Sequence, residues 1–310
     1  MYNIYRHAFL KLGNEVEGET LGEFDQKPVQ EYADTLVNDL FDLNIEHIET
    51  EAALVANLWM AIIHELYDVQ RGCLAKDPDA MNAALDRAAA MWIGADQPQG
   101  AVDQGNLLYN LAQVAALRFN QANGEATANK LLLDSMTSVQ QAIKDGTCNS
   151  GETGYLQMRN TVNRLIDYMS IPLVQMLIHR IQQQTANDSS EFVELYALSI
   201  APRVAACDPD NYQDIENFMV LGSLDNDDAK AYAIDAVQWS LSCLGLTCED
   251  IGSYESGEVQ ACITADFLPG DALAGYIPSS NVGQVRNITY QKLKCLQRDS
   301  NPNHNSYSTP

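Results

Sequence analysis

Residues 85–120 read LDRAAAMWIGADQPQGAVDQGNLLYNLAQVAALRFN, and this stretch decides the fold. On its first side Leu85, Ala88, Ala89 and Trp92 recur at steps of three and four. On its second side Leu107, Leu108, Leu111, Val114, Ala115 and Phe119 do the same, which is helical periodicity. Between them lies GADQPQGAVDQGN, whose three glycines and one proline stop helices. The pattern predicts an αα-hairpin with a long corner. Trp92, Leu108, Leu111 and Phe119 are expected at the centre of a bundle. Tyr109 is expected at the corner, ring packed and hydroxyl among polar loop groups.

Outward from the corner, the N-terminal side holds further helical runs. Residues 1–26 read as an extended or irregular lead. Lys27-Pro28 predicts a helix start, since proline is tolerated in a first turn. Val29, Tyr32, Leu36, Leu40 and Leu43 then share one face. A second helix is expected over 49–70, ending at Arg71-Gly72, and Asp77-Pro78 opens a third. Beyond the corner, helices are expected over 106–120 and 125–144, separated by Asn123-Gly124.

The loop GTCNSGETG at 146–154 divides the helical domain into two halves. After it, 155–184 is a long helical run with Pro172 inside, so a kink, or two helices meeting near Ser170, is expected. Helices follow over 190–204, 208–221 and 229–244. Past Gly245 the periodicity lapses, and 246–310 reads as an irregular arm ending in the polar tail RDSNPNHNSYSTP. The expected architecture is all-α: a bundle of about nine or ten helices over 27–245 with an irregular C-terminal arm.

Charge excludes some functions. The chain carries 42 acidic and 18 basic residues, a net charge of −24. Nucleic acid is bound through a Lys and Arg excess, and anionic lipid likewise, so neither partner is expected. A cation is the compatible partner, and the same surplus also keeps a secreted protein soluble. No run approaches the roughly 18 apolar residues of a membrane span, so membrane insertion is not expected. The opening MYNIYRHAFLKLGNEVEG has no long apolar core and reads as something other than a signal peptide. The seven cysteines, Cys73, Cys148, Cys207, Cys243, Cys248, Cys262 and Cys295, form no CxxC pair. They sit near helix ends and loops, which points to disulfides in an oxidising compartment. Cys243 and Cys248 are expected to bond to each other or to different partners. The sequons at Asn187 and Asn287 fit a glycosylated, secreted surface.

Few residues point to chemistry. His64 and Asp68 are four apart on one helix and face each other, with Glu65 slightly aside. Glu51 shares a face with Glu65, 14 residues on, but lies about 21 Å away along the axis, too far to share a metal within that helix. A metal centre at His64 therefore needs other helices. His179, with Glu65, Asp68, Tyr67 and a carboxylate such as Asp86 or Glu194, would suit iron. The plain alternative is that His64 is a surface residue paired with Asp68. Neither ExxH nor HExxH occurs, so a di-iron bundle and a zinc protease are disfavoured. GxSxG, a P-loop and GxGxxG are missing too, which favours a binding protein over an enzyme. The acidic segments DPDNYQDIEN and DNDDAK lack the glycine of a calcium loop and read as helix N-termini.

Four phrases carry a resemblance: AAAMWIGADQPQG with GNLLYNLAQVAALRF, then IPLVQMLIHRI, LYALSIAPRVAACDP and CLGLTCEDIG. Across residues 83–253 the chain resembles the algal low-iron-inducible periplasmic proteins, the iron-assimilation family. The resemblance implies a helical, cysteine-bearing protein, secreted, extracellular or periplasmic, linked to iron uptake. It assigns no ligands, and the family's signal sequence has no counterpart here. A second reading is structural. The 1–26 lead and the long arm could dock on another copy or another extracellular protein, forming a coat, appendage or filament that needs no ligand.

Overall fold

The computed structural model describes residues 32–42, 48–95, 97–102, 104–184, 190–217, 224 and 226–254, with paired stretches at 23–24 and 27–28. The described residues are all-α. The helices are α1 (Tyr32–Asp42), α2 (Ile48–Ala75), α3 (Pro78–Ile93), α4 (Leu108–Arg118), α5 (Thr127–Lys144) and α6 (Glu152–Met169). After them come α7 (Ile171–Gln183), α8 (Glu191–Cys207), α9 (Pro209–Ile215), α10 (Asp227–Ser240) and α11 (Cys248–Ile251). Among the described residues extended pairing is limited to two antiparallel pairs of two-residue strands, Glu23–Phe24 with Lys27–Pro28 and Ala122–Asn123 with Glu125–Ala126.

Local chemistry sets the helix ends. The Asp77 carboxylate accepts the N–H groups of Asp79 and Ala80 at 3.2 and 3.0 Å, with Pro78 in the first turn. Asp208 caps α9 and Asn226 caps α10, so both acidic segments are helix N-termini. Thr247 and Asp250 form a reciprocal capping box on α11. Proline at the start of α7 breaks 152–183 into two helices that meet at Ser170.

Two starts and stops differ from expectation. Lys27-Pro28 lies in an extended pair, and the first helix begins only at Tyr32. Arg71-Gly72 does not end α2, which runs on to Ala75 and stops where Lys76 turns left-handed at φ 58°. Gly72 instead permits contact: a β-carbon there would sit 2.6 Å from Met81 Cγ of α3. Inside α2, Ala53–Leu58 is π-helical, a wider, under-wound turn. By length and composition α2 could cross a membrane, contrary to the reading of the sequence. Here Trp59, Met60, Ile62, Ile63, Leu66 and Val69 bury it in the bundle.

The bundle is built around α7. Ile171 through His179 and Ile181 are all buried, and α4, α6, α8, α10 and α11 all touch this helix. The α2–α3 and α5–α6 hairpins pack against each other, and α6 carries them onto α7. One core cluster runs through both sides of the 146–154 loop. Long-range polar bonds fix the layers: Tyr32 donates to the Leu198 carbonyl at 3.0 Å and Trp59 to the Met169 carbonyl at 3.3 Å. Cys73 at the end of α2 is disulfide-bonded to Cys148 in the 3-10 turn Thr147–Ser150. The two are 75 residues apart, so chain-entropy arguments assign the bridge about 4 kcal/mol.

The C-terminal end of the described chain belongs to the body, not to an arm. Leu246, Ile251 and Tyr254 are buried. The turn after α10 is held by buried charge: Arg203 reaches Asp167 at 2.7 Å and the Leu244 carbonyl at 3.1 Å, and Arg164 reaches the Gly245 carbonyl at 2.8 Å. A side chain at 245 would meet the Asp167 carboxylate at 2.4 Å, and φ there is +74°, so glycine is required twice over. The arm beyond 254 and most of the 1–26 lead lie outside the described residues.

The corner between α3 and α4 is a polar clasp around a buried ring. Trp92 is fully buried and donates to Asn129 Oδ1 at 2.9 Å, while Asn129 donates to the Tyr109 carbonyl at 3.0 Å. The Tyr109 hydroxyl donates to Glu125 at 2.7 Å and accepts from the Gly100 N–H at 3.1 Å. Burial pushes the Tyr109 phenol above its ordinary pKa. Leu108 and Phe119 are buried as expected. Leu111 is only half-buried; Gln113 takes the inner position, bonding the Ala126 N–H at 2.8 Å and the Gly124 carbonyl at 3.0 Å.

Trp92→Ala is expected to cost about 3–5 kcal/mol in urea denaturation. Trp92→Phe is expected to cost less, about 1–3 kcal/mol, by leaving the buried Asn129 oxygen unpaired. A loss of under about 1 kcal/mol for the alanine variant would place the corner outside the cooperative core.

Candidate functional site

The residues singled out as metal ligands occupy two different settings. His64 lies half-buried on α2, its Nε2 3.8 Å from Asp68 Oδ2. Arg71 pairs with that same Asp68. Glu65 is held across the helix gap by Arg87 of α3, at 3.0 Å from Nε and 2.7 Å from Nη2. Partial burial, and next to it cationic neighbours including Arg71, lower the His64 pKa. Tyr67 packs half-buried against the core, Asp86 is exposed on α3, and Glu194 is half-buried in the first turn of α8.

His179 is in α7 and only 6% exposed. Its Nδ1 shares a hydrogen bond with the Tyr254 hydroxyl at 2.8 Å, and the Tyr254 ring packs 5.2 Å from Phe119. Burial first, then the positive charges of Arg118 and Arg180, bring its pKa down to about 4. At neutral pH it is an uncharged imidazole whose partner is the C-terminal segment.

Among the described residues no three His, Cys, Asp or Glu side chains converge as a metal-holding group. The seven proposed ligands are therefore not assembled into one centre. Periodicity placed His64 and Asp68 together correctly. It could not show that guanidinium groups from the same and neighbouring helices take Glu65 and Asp68, nor that His179 lies in the buried part of its helix.

The polar cluster that sequence reasoning missed centres on Glu51. Its carboxylate accepts from Arg180 at 2.9 Å and from the Tyr196 hydroxyl at 2.6 Å. The Arg180 guanidinium lies 4.1 Å from the Phe192 ring centre. Burial, then the adjacent Glu51 charge, push the Tyr196 phenol well above its ordinary range. The partners are 129 and 145 residues from Glu51, so no local pattern could reveal them.

Of the cysteines, Cys243 and Cys248 are disulfide-bonded as well as Cys73 and Cys148. The side chain of Cys207, with Cys262, Cys295, Asn187 and Asn287, lies outside the described residues. Compared with known proteins, the chain matches no protein-family model, no curated protein and no solved structure.

His179 makes stability depend on pH. Its folded pKa lies below the unfolded value of 6.5, so the unfolded chain takes up the proton first as pH falls. The contribution is complete above about pH 6.5 and is lost as pH falls toward 4. Denaturant midpoints measured across that window are expected to fall less steeply for His179→Gln than for the parent. Equal slopes would show that this imidazole is solvated.

Proposed function

We propose that the chain is an extracellular or periplasmic binding protein of iron assimilation, without enzymatic activity, which gathers cations on its carboxylate-rich surface. The observation that carries this reading is the charge surplus: acidic residues exceed basic ones by 24. The described ion pairs engage Glu51, Glu65, Asp68, Asp134 and Asp167, while Asp79, Asp86 and Glu152 stay exposed. Such a surface raises the local concentration of cations. Fe(III) prefers oxygen ligands, so carboxylates dominate, with His64 the more exposed of the two described histidines as nitrogen donor. Two further supports are the disulfides, which suit an oxidising compartment, and the resemblance of residues 83–253 to the iron-assimilation proteins.

The compartment has its own test. Among the described residues four cysteines are bonded, and the chain has seven, so thiol titration of the denatured, unreduced protein is expected to find three or fewer free thiols. Six or seven would sink the extracellular assignment.

Function is tested by titrating the purified chain with Fe(II) and Fe(III) at low and high salt, beside a His64→Ala, His179→Ala double variant. Surface capture predicts several weak equivalents, weakened by salt and by acid as carboxylates protonate, and little changed in the double variant. Tight stoichiometric binding lost in the variant would instead locate a histidine centre. No binding of either ion, with polymers visible by electron microscopy, would move the assignment to a structural subunit.

A further inference from the structure

The sequence has one asparagine followed by glycine, Asn123-Gly124, and one aspartate followed by glycine, Asp145-Gly146. In either pair the glycine nitrogen can attack the carbonyl of the preceding side chain and close a succinimide ring. Glycine favours the attack because no β-carbon shields its nitrogen. The fold treats the two pairs differently. The Gly146 N–H donates to the Ile143 carbonyl at 3.0 Å, and Asp145 Oδ1 accepts from Gln141 at 2.8 Å, so nucleophile and target are both held. Asn123 and Gly124 are exposed at the tip of the 122–126 turn. Among the described residues neither the Asn123 side chain nor the Gly124 N–H is engaged in a hydrogen bond. Nothing lies within 4 Å of where a β-carbon on Gly124 would stand.

The turn is open at its tip and anchored behind it. The Gly124 carbonyl accepts from the buried Gln113 at 3.0 Å, and Gln113 Oε1 accepts from the Ala126 N–H at 2.8 Å. The same carbonyl lies against Gly100 of the corner, where a β-carbon would collide with it. Glu125, the next residue, accepts the Tyr109 hydroxyl at 2.7 Å. The length of main chain between residues 123 and 124 therefore sets how the turn fits the corner around Trp92.

We propose that Asn123 is a self-modification site that converts to isoaspartate in the folded protein and loosens the clasp at Gly124. The Gly124 nitrogen bonds to Asn123 Cγ, its proton passes to water or hydroxide, and the side-chain nitrogen leaves as ammonia. Water then opens the succinimide. Opening at the main-chain carbonyl gives isoaspartate, with one added methylene in the backbone and a free α-carboxylate; opening at Cγ gives aspartate. The only co-reactant is water, and the inference does not depend on the cation reading. The added methylene displaces Gly124 from Gln113, leaving a buried amide donor unpaired, and a new carboxylate arises near Glu125.

The experiment incubates the full chain in mildly alkaline buffer, folded and in urea, and maps it by mass spectrometry for the NH2-to-OH change. Isoaspartate is counted by enzymatic methylation of its carboxylate. In the folded chain conversion is expected at Asn123, with isoaspartate exceeding aspartate, while Asp145 stays an ordinary aspartate. The incubated, refolded-free parent is expected to melt lower than the fresh one. Asn123→Gln, whose longer side chain closes a larger ring far more slowly, is expected to melt the same before and after. Fresh Asn123→Asp adds the charge without the methylene and is expected to melt above the converted parent. An Asn123 that stays intact in the folded chain, over a time that converts it in urea, overturns the proposal. So does a converted protein that melts as the fresh one does.

Discussion

A helix buried on every side from Ile171 to His179 dictates much of this structure. Over that stretch the polar side chains of α7 turn to partners inside the protein. Gln175 reaches the Ile251 carbonyl at 2.8 Å, and His179 reaches the Tyr254 hydroxyl. Leaving a buried group of this kind unpaired costs about 1–3 kcal/mol. The segment after α10 is thereby recruited into the body: α11 and Tyr254 supply what α7 lacks. The capping box at Thr247 and the glycine at 245, pressed against Asp167, then set the angle at which this segment arrives.

Much of the fold is legible because it rests on local rules. Asp77-Pro78 caps a helix for reasons contained within four residues, and Pro172 ends one for the same kind of reason. The corner at Trp92 is legible through composition, since glycines and a proline between two periodic runs permit little else. Leu111 shows the limit. Apolar periodicity favours leucine over glutamine for the inner face, yet Gln113 is inside, where its amide bonds the Gly124 carbonyl in the turn and the Ala126 N–H in the strand after it. A two-residue strand pair has no sequence signature strong enough to announce that need.

The candidate ligands failed to assemble for a related reason. A helical wheel reports which residues share a face, and it is silent on what stands opposite. Glu65 looked available from α2 alone; Arg87 on α3 occupies it. Glu51 looked isolated by its distance along α2; Arg180 and Tyr196 make it the hub of a cross-helix cluster. Charge in this protein is sorted by tertiary neighbours. Among the described residues Arg87, Arg180 and Arg203 pair with carboxylates of other helices, while Arg71 and Lys130 pair along a single helix at the surface.

The bridge between Cys73 and Cys148 encloses α3, α4 and α5 together with the long corner at 94–107. A protease that cuts once anywhere inside that loop does not release a fragment. It yields a two-chain molecule, heavier than the parent by a single water, whose pieces part only when a reductant also opens the bridge. Outside a cell, where proteases are common and reductants scarce, a nicked copy would keep both halves at the same address. Its age would be visible only on a reducing gel.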